Sequence, residues 1–264
     1  MRFRRDYFYS PWIRIVLLIL LLILIVCITS CSRKREAVAE CSMGQFLKKA
    51  MEPVGNTMYI WGGGWDAAKM GNARRIGMDK DWGDFAKQQT SDYDFEEYLE
   101  ENELGLDCSG YVAWVLYNLF EKKDGEEGYL TVSTGMARAL AERGMGRLIK
   151  NPKEFMPGDI VSMQGHVWIS LGTCQDDSVL LVHSSPPGVS VCGTQTEGED
   201  KSIAVQLAEK YMIEHHLSWQ EKYPKRSVPS TYLEDVYVFR WSTNVLSDAK
   251  KYQLYSGEEM IPFL

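Results

Sequence analysis

Between Leu106 and Lys123 the sequence runs LDCSGYVAWVLYNLFEKK, and no other stretch constrains the fold as tightly. Tyr111, Val112, Val115, Leu116, Leu119 and Phe120 recur at the i, i+1, i+4, i+5 spacing of one buried helical face. Asp107 stands where an N-cap belongs, with a carboxylate that can accept from the first unpaired backbone N–H groups. Cys108 therefore opens a helix that must pack on a core, and Ser109 and Gly110 keep its surroundings small.

That position has chemical meaning. A cysteine attacks as thiolate, and a helix N-terminus favours negative charge and offers N–H groups to a developing oxyanion. A base must then come from elsewhere, and the chain has 4 histidines. His215 and His216 fall in a polar helical stretch and read as surface residues. His166 and His183 lie in two apolar runs joined by a turn over Gly172 to Asp177. Pairing symmetric about that turn sets 170 against 179, 168 against 181 and 166 against 183, which makes the two histidines direct cross-strand neighbours. Two imidazoles in contact suit a relay in which His166 takes the thiol proton and His183 orients it, or the reverse. Two other readings compete. Cys108 can be a buried, inert core thiol with ordinary strand histidines nearby. A zinc site from Cys108, His166, His183 and Cys174 is the other, although it lacks ligand-pair spacing.

The rest of the chain reads as helices followed by strands. Met43 to Met51 is helical and is closed by Pro53 and Gly55, and Tyr59 to Trp65 forms an aromatic and glycine cluster. Asp66 to Gly105, charged and weakly periodic, reads as a long surface excursion inserted before the Cys108 helix. Gly135 to Arg143 is a further helix, and Phe155 to Asp159 is a turn into the short runs Ile160–Met163, His166–Leu171, Val179–His183 and Val189–Cys192. Ile203 to Trp219 is helical, and Val236 to Trp241 supplies a last strand. This order predicts an α+β domain with an antiparallel sheet.

Composition narrows the partners. With 45% hydrophobic residues the chain can bury a core, and its formal net charge of -7 leaves no basic footprint for nucleic acid. The 6 cysteines show neither a dense disulfide framework nor a CxxC pair, and a Cys174–Cys192 bridge stays open.

Residues 1–40 read as an address, separate from the 41–264 domain. Arg2, Arg4, Arg5 and Arg14 precede an uncharged Leu/Ile-rich run from Ile15 to Ser30, and Arg33, Lys34 and Arg35 come directly after it. The run is short for a membrane span and ends in Ile28-Thr29-Ser30-Cys31, which resembles a bacterial lipobox with Cys31 as the lipidated residue. An uncleaved signal anchor is the competing reading. Both place the domain outside the cytoplasmic membrane of a bacterium and tether it there.

Five strings occur in order: Tyr59-Ile-Trp-Gly-Gly, Leu106-Asp-Cys-Ser-Gly-Tyr-Val112, Met156-Pro-Gly-Asp-Ile160, Gly165-His-Val-Trp-Ile-Ser-Leu-Gly172 and Val182-His-Ser-Ser185. Together they resemble the NlpC-type cell-wall endopeptidases, cysteine peptidases of the NlpC and p-sixty kind, over roughly Met43 to Val191. The resemblance implies a papain-like fold, with a cysteine-bearing helix packed on an antiparallel sheet that carries both histidines. It implies Cys108 as nucleophile, His166 as base and His183 as orienter, with Tyr59, Asp107 and Ser109 lining the substrate cleft. The substrates implied are peptidoglycan stem peptides, cut between γ-D-glutamate and a diamino acid with no cofactor. A papain-like amidase or acyltransferase on another envelope amide, or a non-catalytic wall-binding lipoprotein, are the alternatives. The chain departs from the pattern in the long 66–105 interval and in Trp168, a bulky residue after His-Val that is expected to narrow the site.

Overall fold

The computed structural model describes residues 41–65, 72–120, 128–196 and 201–264, together with Trp12, Ile15 and Val16. Cys31 and the lipobox reading lie outside them. Among the described residues no helix is long and apolar enough to cross a membrane. The chain divides into two units, Met1–Val38 and Ala39–Leu264, and the second contains the sheet and the helices that pack on it.

After a two-residue strand β1 (Cys41–Ser42) come helices α1 (Met43–Met51), α2 (Lys80–Gln88), α3 (Cys108–Leu119) and α4 (Met136–Glu142). Next in the chain are strands β2 (Gly146–Lys150), β3 (Ile160–Met163), β4 (His166–Thr173), β5 (Val179–Ser185) and β6 (Gly188–Thr194). Helices α5 (Ile203–His215) and α6 (Leu217–Lys222) lead to β7 (Ser227–Val228), β8 (Tyr237–Trp241), β9 (Leu246–Ser247) and α7 (Gly257–Met260). Seven strands form one sheet in the order β2-β8-β3-β4-β5-β6-β7, and β1 pairs with β9. Every pairing in the large sheet is antiparallel except β6 with β7. The molecule is thus mixed α and β, with helices packed on a mainly antiparallel sheet. The expected 203–219 helix is broken at His216, whose backbone (φ -140, ψ 47) leaves the helical region between α5 and α6.

The large core lies between the helices and one sheet face, where Tyr111, Val112 and Val115 of α3 meet residues such as Val167, Ile169 and Val182. A smaller core of Phe155, Val161, Trp168, Leu181 and Val238 fills the opposite face. All 12 residues of α3 are buried, not one face alone. The reason is the 66–105 segment, whose described part, from residue 72 onward, keeps many exposed residues, as a surface excursion does, but is anchored on α3. Trp82 of α2 is fully buried, meets Trp114 of α3 edge-on at 6.0 Å and donates its indole N–H to the Glu103 carbonyl at 2.8 Å. Asn118 of α3 donates to the Arg75 carbonyl and accepts from the Gly77 N–H. The segment therefore covers the side of α3 that the sheet does not reach. Its apolar anchors are too few among the charges to show periodicity.

The register of β4 on β5 decides where the histidines point. The turn closes as Cys174 N–H donates to the Ser178 carbonyl at 2.7 Å, with Asp177 at φ 62. Thr173 then pairs with Val179 and Gly172 with Leu180. Continued unchanged, that register would set 166 against 186 and turn His183 to the other face. A bulge at Leu171 intervenes, so that Ser170 pairs with Leu181 and Ile169 with Val182. His166 and His183 thus share a face as diagonal neighbours, not as the directly opposed pair that a symmetric turn predicts.

Gly172 makes the bulge possible. Its φ of 123 suits glycine, and a Cβ there would come within 2.9 Å of the Gly257 backbone nitrogen. Gly172→Ala is expected to cost about 1–3 kcal/mol of stability, measured by denaturant unfolding. A variant as stable as the parent would contradict this account of the bulge.

Candidate active site

Cys108 is seated by two interlocking glycine motifs. A Cβ on Gly110 would overlap the Gly63 carbonyl, and one on Gly64 would come within 2.6 Å of the Gly110 Cα. Only glycines let the Tyr59–Trp65 turn lie directly on the first turn of α3. The Asp107 N–H donates to the Gly63 carbonyl at 2.9 Å, and the Ser184 hydroxyl of β5 donates to the Leu106 carbonyl at 2.6 Å. The entry to α3 is thereby tied to the strand that carries His183.

Asp107 caps the helix as expected, accepting from the Gly110 N–H at 2.6 Å and from the Ser109 hydroxyl at 2.9 Å. Ser109 in turn accepts from the Trp65 indole N–H at 2.9 Å. These two buried side chains therefore hold the helix terminus together. Burial pushes the Asp107 carboxyl up to about 6, against the hydrogen bonds that pull it down. Tyr59 is also buried. Its ring meets Phe95 edge-on at 5.3 Å, and its carbonyl accepts from the Tyr93 hydroxyl at 2.7 Å. Burial, with Cys108 and Asp107 nearby, raises the Tyr59 phenol well above its ordinary value, so it stays a hydrogen-bond donor.

The histidines meet. His166 Nε2 and His183 Nδ1 are 3.0 Å apart, with ring planes at 78°. His183 is only 3% exposed, whereas His166 is half-buried at the start of β4. The contact occupies Nε2 of His166, so Nδ1 is its remaining ring nitrogen for proton transfer. The Cys108 sulfur lies within reach of the Val167 backbone N–H, one residue from His166. Cys108, the imidazole pair and Tyr59 therefore lie together where the start of α3 meets the start of β4.

The electrostatics differ from the expectation for a helix N-terminus. Burial, reinforced by Asp107, pushes the Cys108 thiol up to about 11, although backbone N–H groups of Val167 and Ser109 oppose it. Burial likewise lowers His166 to about 4. It also holds His183 well below its ordinary value, helped by His166 and Arg226. The resting site is thus a neutral thiol beside neutral imidazoles, because desolvation outweighs the backbone hydrogen bonds that favour the thiolate.

Two side chains here have no signal in the sequence motifs. Tyr232, from the short turn after β7, packs its ring 5.4 Å from His166 and 6.0 Å from His183 and fixes both imidazoles from outside. Burial pushes its phenol up to about 12, with Cys192 and Cys108 adding. Arg226, at the end of the α6–β7 connection, approaches His183 from behind. Neither position repeats a pattern that spacing alone reveals.

Other expected features fall elsewhere. Trp168 is fully buried in the smaller core, 5.6 Å from Phe155, and cannot narrow a cleft. Its alternation with Val167 and Ile169 sends it to the opposite face from α3. Cys174 and Cys192 are both free and buried. His215 is exposed and His216 half-buried. Among the described residues no group of three or more His, Cys, Asp or Glu could hold a metal ion.

No family model, curated protein or solved structure matches this chain.

The lowered His166 value fixes a sign. A base neutral above about pH 4 is lost only as pH falls through that value. If this site catalyses, the acid limb of kcat/KM is expected near 4 and not near the 6.5 of an exposed imidazole. A limb at 6.5 in a pH–rate profile would refute the burial argument.

Proposed function

We propose that the chain is a papain-like cysteine peptidase that cleaves peptidoglycan stem peptides at the bond between γ-D-glutamate and a diamino acid. One observation carries this reading: Cys108 opens a capped, buried helix beside the strand that begins with His166, and His166 Nε2 is held by His183 Nδ1 at 3.0 Å. An inert core thiol would need neither imidazole, and a strand histidine would need no aligned partner. The NlpC-type strings, which place these same residues in order, supply the substrate class.

In this mechanism the carbonyl carbon of the scissile amide docks against Cys108 Sγ. The thiol proton passes to Nδ1 of His166 as sulfur attacks, so charge appears only when substrate has excluded water. The Cys108 backbone N–H, at the open start of the helix, and the neutral Tyr59 hydroxyl are the oxyanion donors. His166, now imidazolium, returns its proton to the leaving amine, and a thioester remains on Cys108. Water attacks this thioester, giving its proton to His166, and the thiolate leaves and recovers that proton. His183 and Tyr232 keep the His166 ring in place throughout.

The N-terminal segment is proposed to tether the domain to the outer side of the cytoplasmic membrane, through Cys31 or through the apolar run. Tethering would raise the local concentration of enzyme at the membrane-proximal wall.

Cys108→Ala is expected to lower hydrolysis of purified muropeptides by at least about a thousandfold, measured by mass analysis of the products, with unchanged thermal unfolding. Undiminished digestion would sink the catalytic reading, and a cut outside the stem peptide would redirect it to another amide. Removal of residues 1–40 is expected to leave muropeptide cleavage intact while the protein leaves the membrane fraction; retention there would contradict the tether.

A further inference from the structure

Behind the histidine pair lies a cavity of about 460 Å³ that the thioester mechanism does not use. His183 and Tyr232 form part of its wall, so it adjoins the site. Lys222, Lys225 and Arg226 also line it, and among the described residues no acidic one does. Lys222 is already engaged with the Gln89 carbonyl at 2.6 Å, which leaves Arg226 and the exposed Lys225.

Arg226 is the unusual member. It is 2% exposed, its Nη2 donates to the Tyr223 carbonyl, and its Nε and Nη1 have no hydrogen-bond partner among the described residues. The carboxylate that acts on it, Glu209, is held by Lys201 at 2.7 Å. The other buried arginine among the described residues shows the contrast. Arg240 meets Asp159 through two bonds, Nε to Oδ1 at 2.8 Å and Nη2 to Oδ2 at 2.6 Å. A guanidinium taken out of water without an anion is costly, and a fold that pairs one such group and leaves the second open has reserved the second.

We propose that this cavity is a carboxylate subsite, in which Arg226 receives a carboxylate of the leaving-group residue of the substrate. The inference rests on the peptidase reading. His166 protonates the departing amine, so the departing residue lies on the histidine side, and His183 joins that side to the cavity. An amine and a carboxylate on one carbon are too close together to span from His166 past His183 to Arg226. A diamino acid that carries a second carboxylate at the far end of its side chain has the reach to place that group on Arg226 while its amine stays at His166. Lys225, exposed at the rim, attracts the same charge.

The test uses the full chain in detergent as the Cys108→Ala form, which binds without turnover. Two γ-D-glutamyl-diamino acid peptides, identical except that the carboxyl groups of the diamino acid are free or amidated, are titrated calorimetrically. The free acid is expected to bind at least about tenfold more tightly, and Arg226→Gln in the same background should abolish the difference. Equal affinity of the two peptides overturns the subsite even where stem-peptide cleavage is intact. A preference for the free acid that survives Arg226→Gln overturns the role of Arg226. Absence of cleavage by the unsubstituted enzyme, with neither peptide bound, removes instead the peptidase reading. Should Arg226→Gln fail to fold, the free and amidated pair on the Arg226-containing chain still decides.

Discussion

A helix buried on every side has nowhere to send its first four N–H groups but to the protein itself. In α3 this constraint organises the site. Asp107 takes the Gly110 N–H, Ser109 and Trp65 extend that network, and the glycines of two separate motifs let the backbones touch. Cys108 sits at this terminus with its own N–H uncommitted to the cap. The same burial that makes the helix rigid also keeps the thiol protonated, so a helix N-terminus in this protein supplies donors and position more than charge.

The histidines depend on a different device. Strand alternation makes face assignment a matter of parity, and one extra residue reverses it. The turn from Cys174 to Ser178 sets a register in which His183 would face the helices, and the bulge at Leu171 returns it to the face of His166. Tyr232 then closes over both rings. The pair is thus held by sheet register below and by an aromatic ring above, which fixes geometry without adding charge.

Charge is treated consistently through the fold. Asp159 and Arg240, both buried, neutralise each other where the Met156–Asp159 turn meets β8. Cys108, His166 and His183 are kept neutral by desolvation. Arg226 differs from Arg240 in that no carboxylate of the described residues meets its guanidinium, and it stands beside the site.

Much of this is legible in the chain. The apolar spacing of 111–120 and the Asp107 cap define α3 and place Cys108, because helix periodicity and capping are local properties. Short apolar runs divided by Gly, Asp and Pro announce the strands, and the order of elements announces an α+β domain. The contact of His166 with His183 is also expected from the sequence, but from a symmetric register that the protein does not adopt; a shift of two residues preserves the face, so the contact survives the error. What local pattern cannot carry is the side chain supplied by a distant segment. Trp82, covering the back of α3, Tyr232 over the imidazoles and Arg226 behind them come from regions with no periodic signal. The sequence by itself determined which helix bears the cysteine and which strands bear the histidines, since both depend on neighbours a few residues apart. Only the tertiary structure decided the protonation states and the open guanidinium, because both arise from how completely remote parts of the chain exclude water.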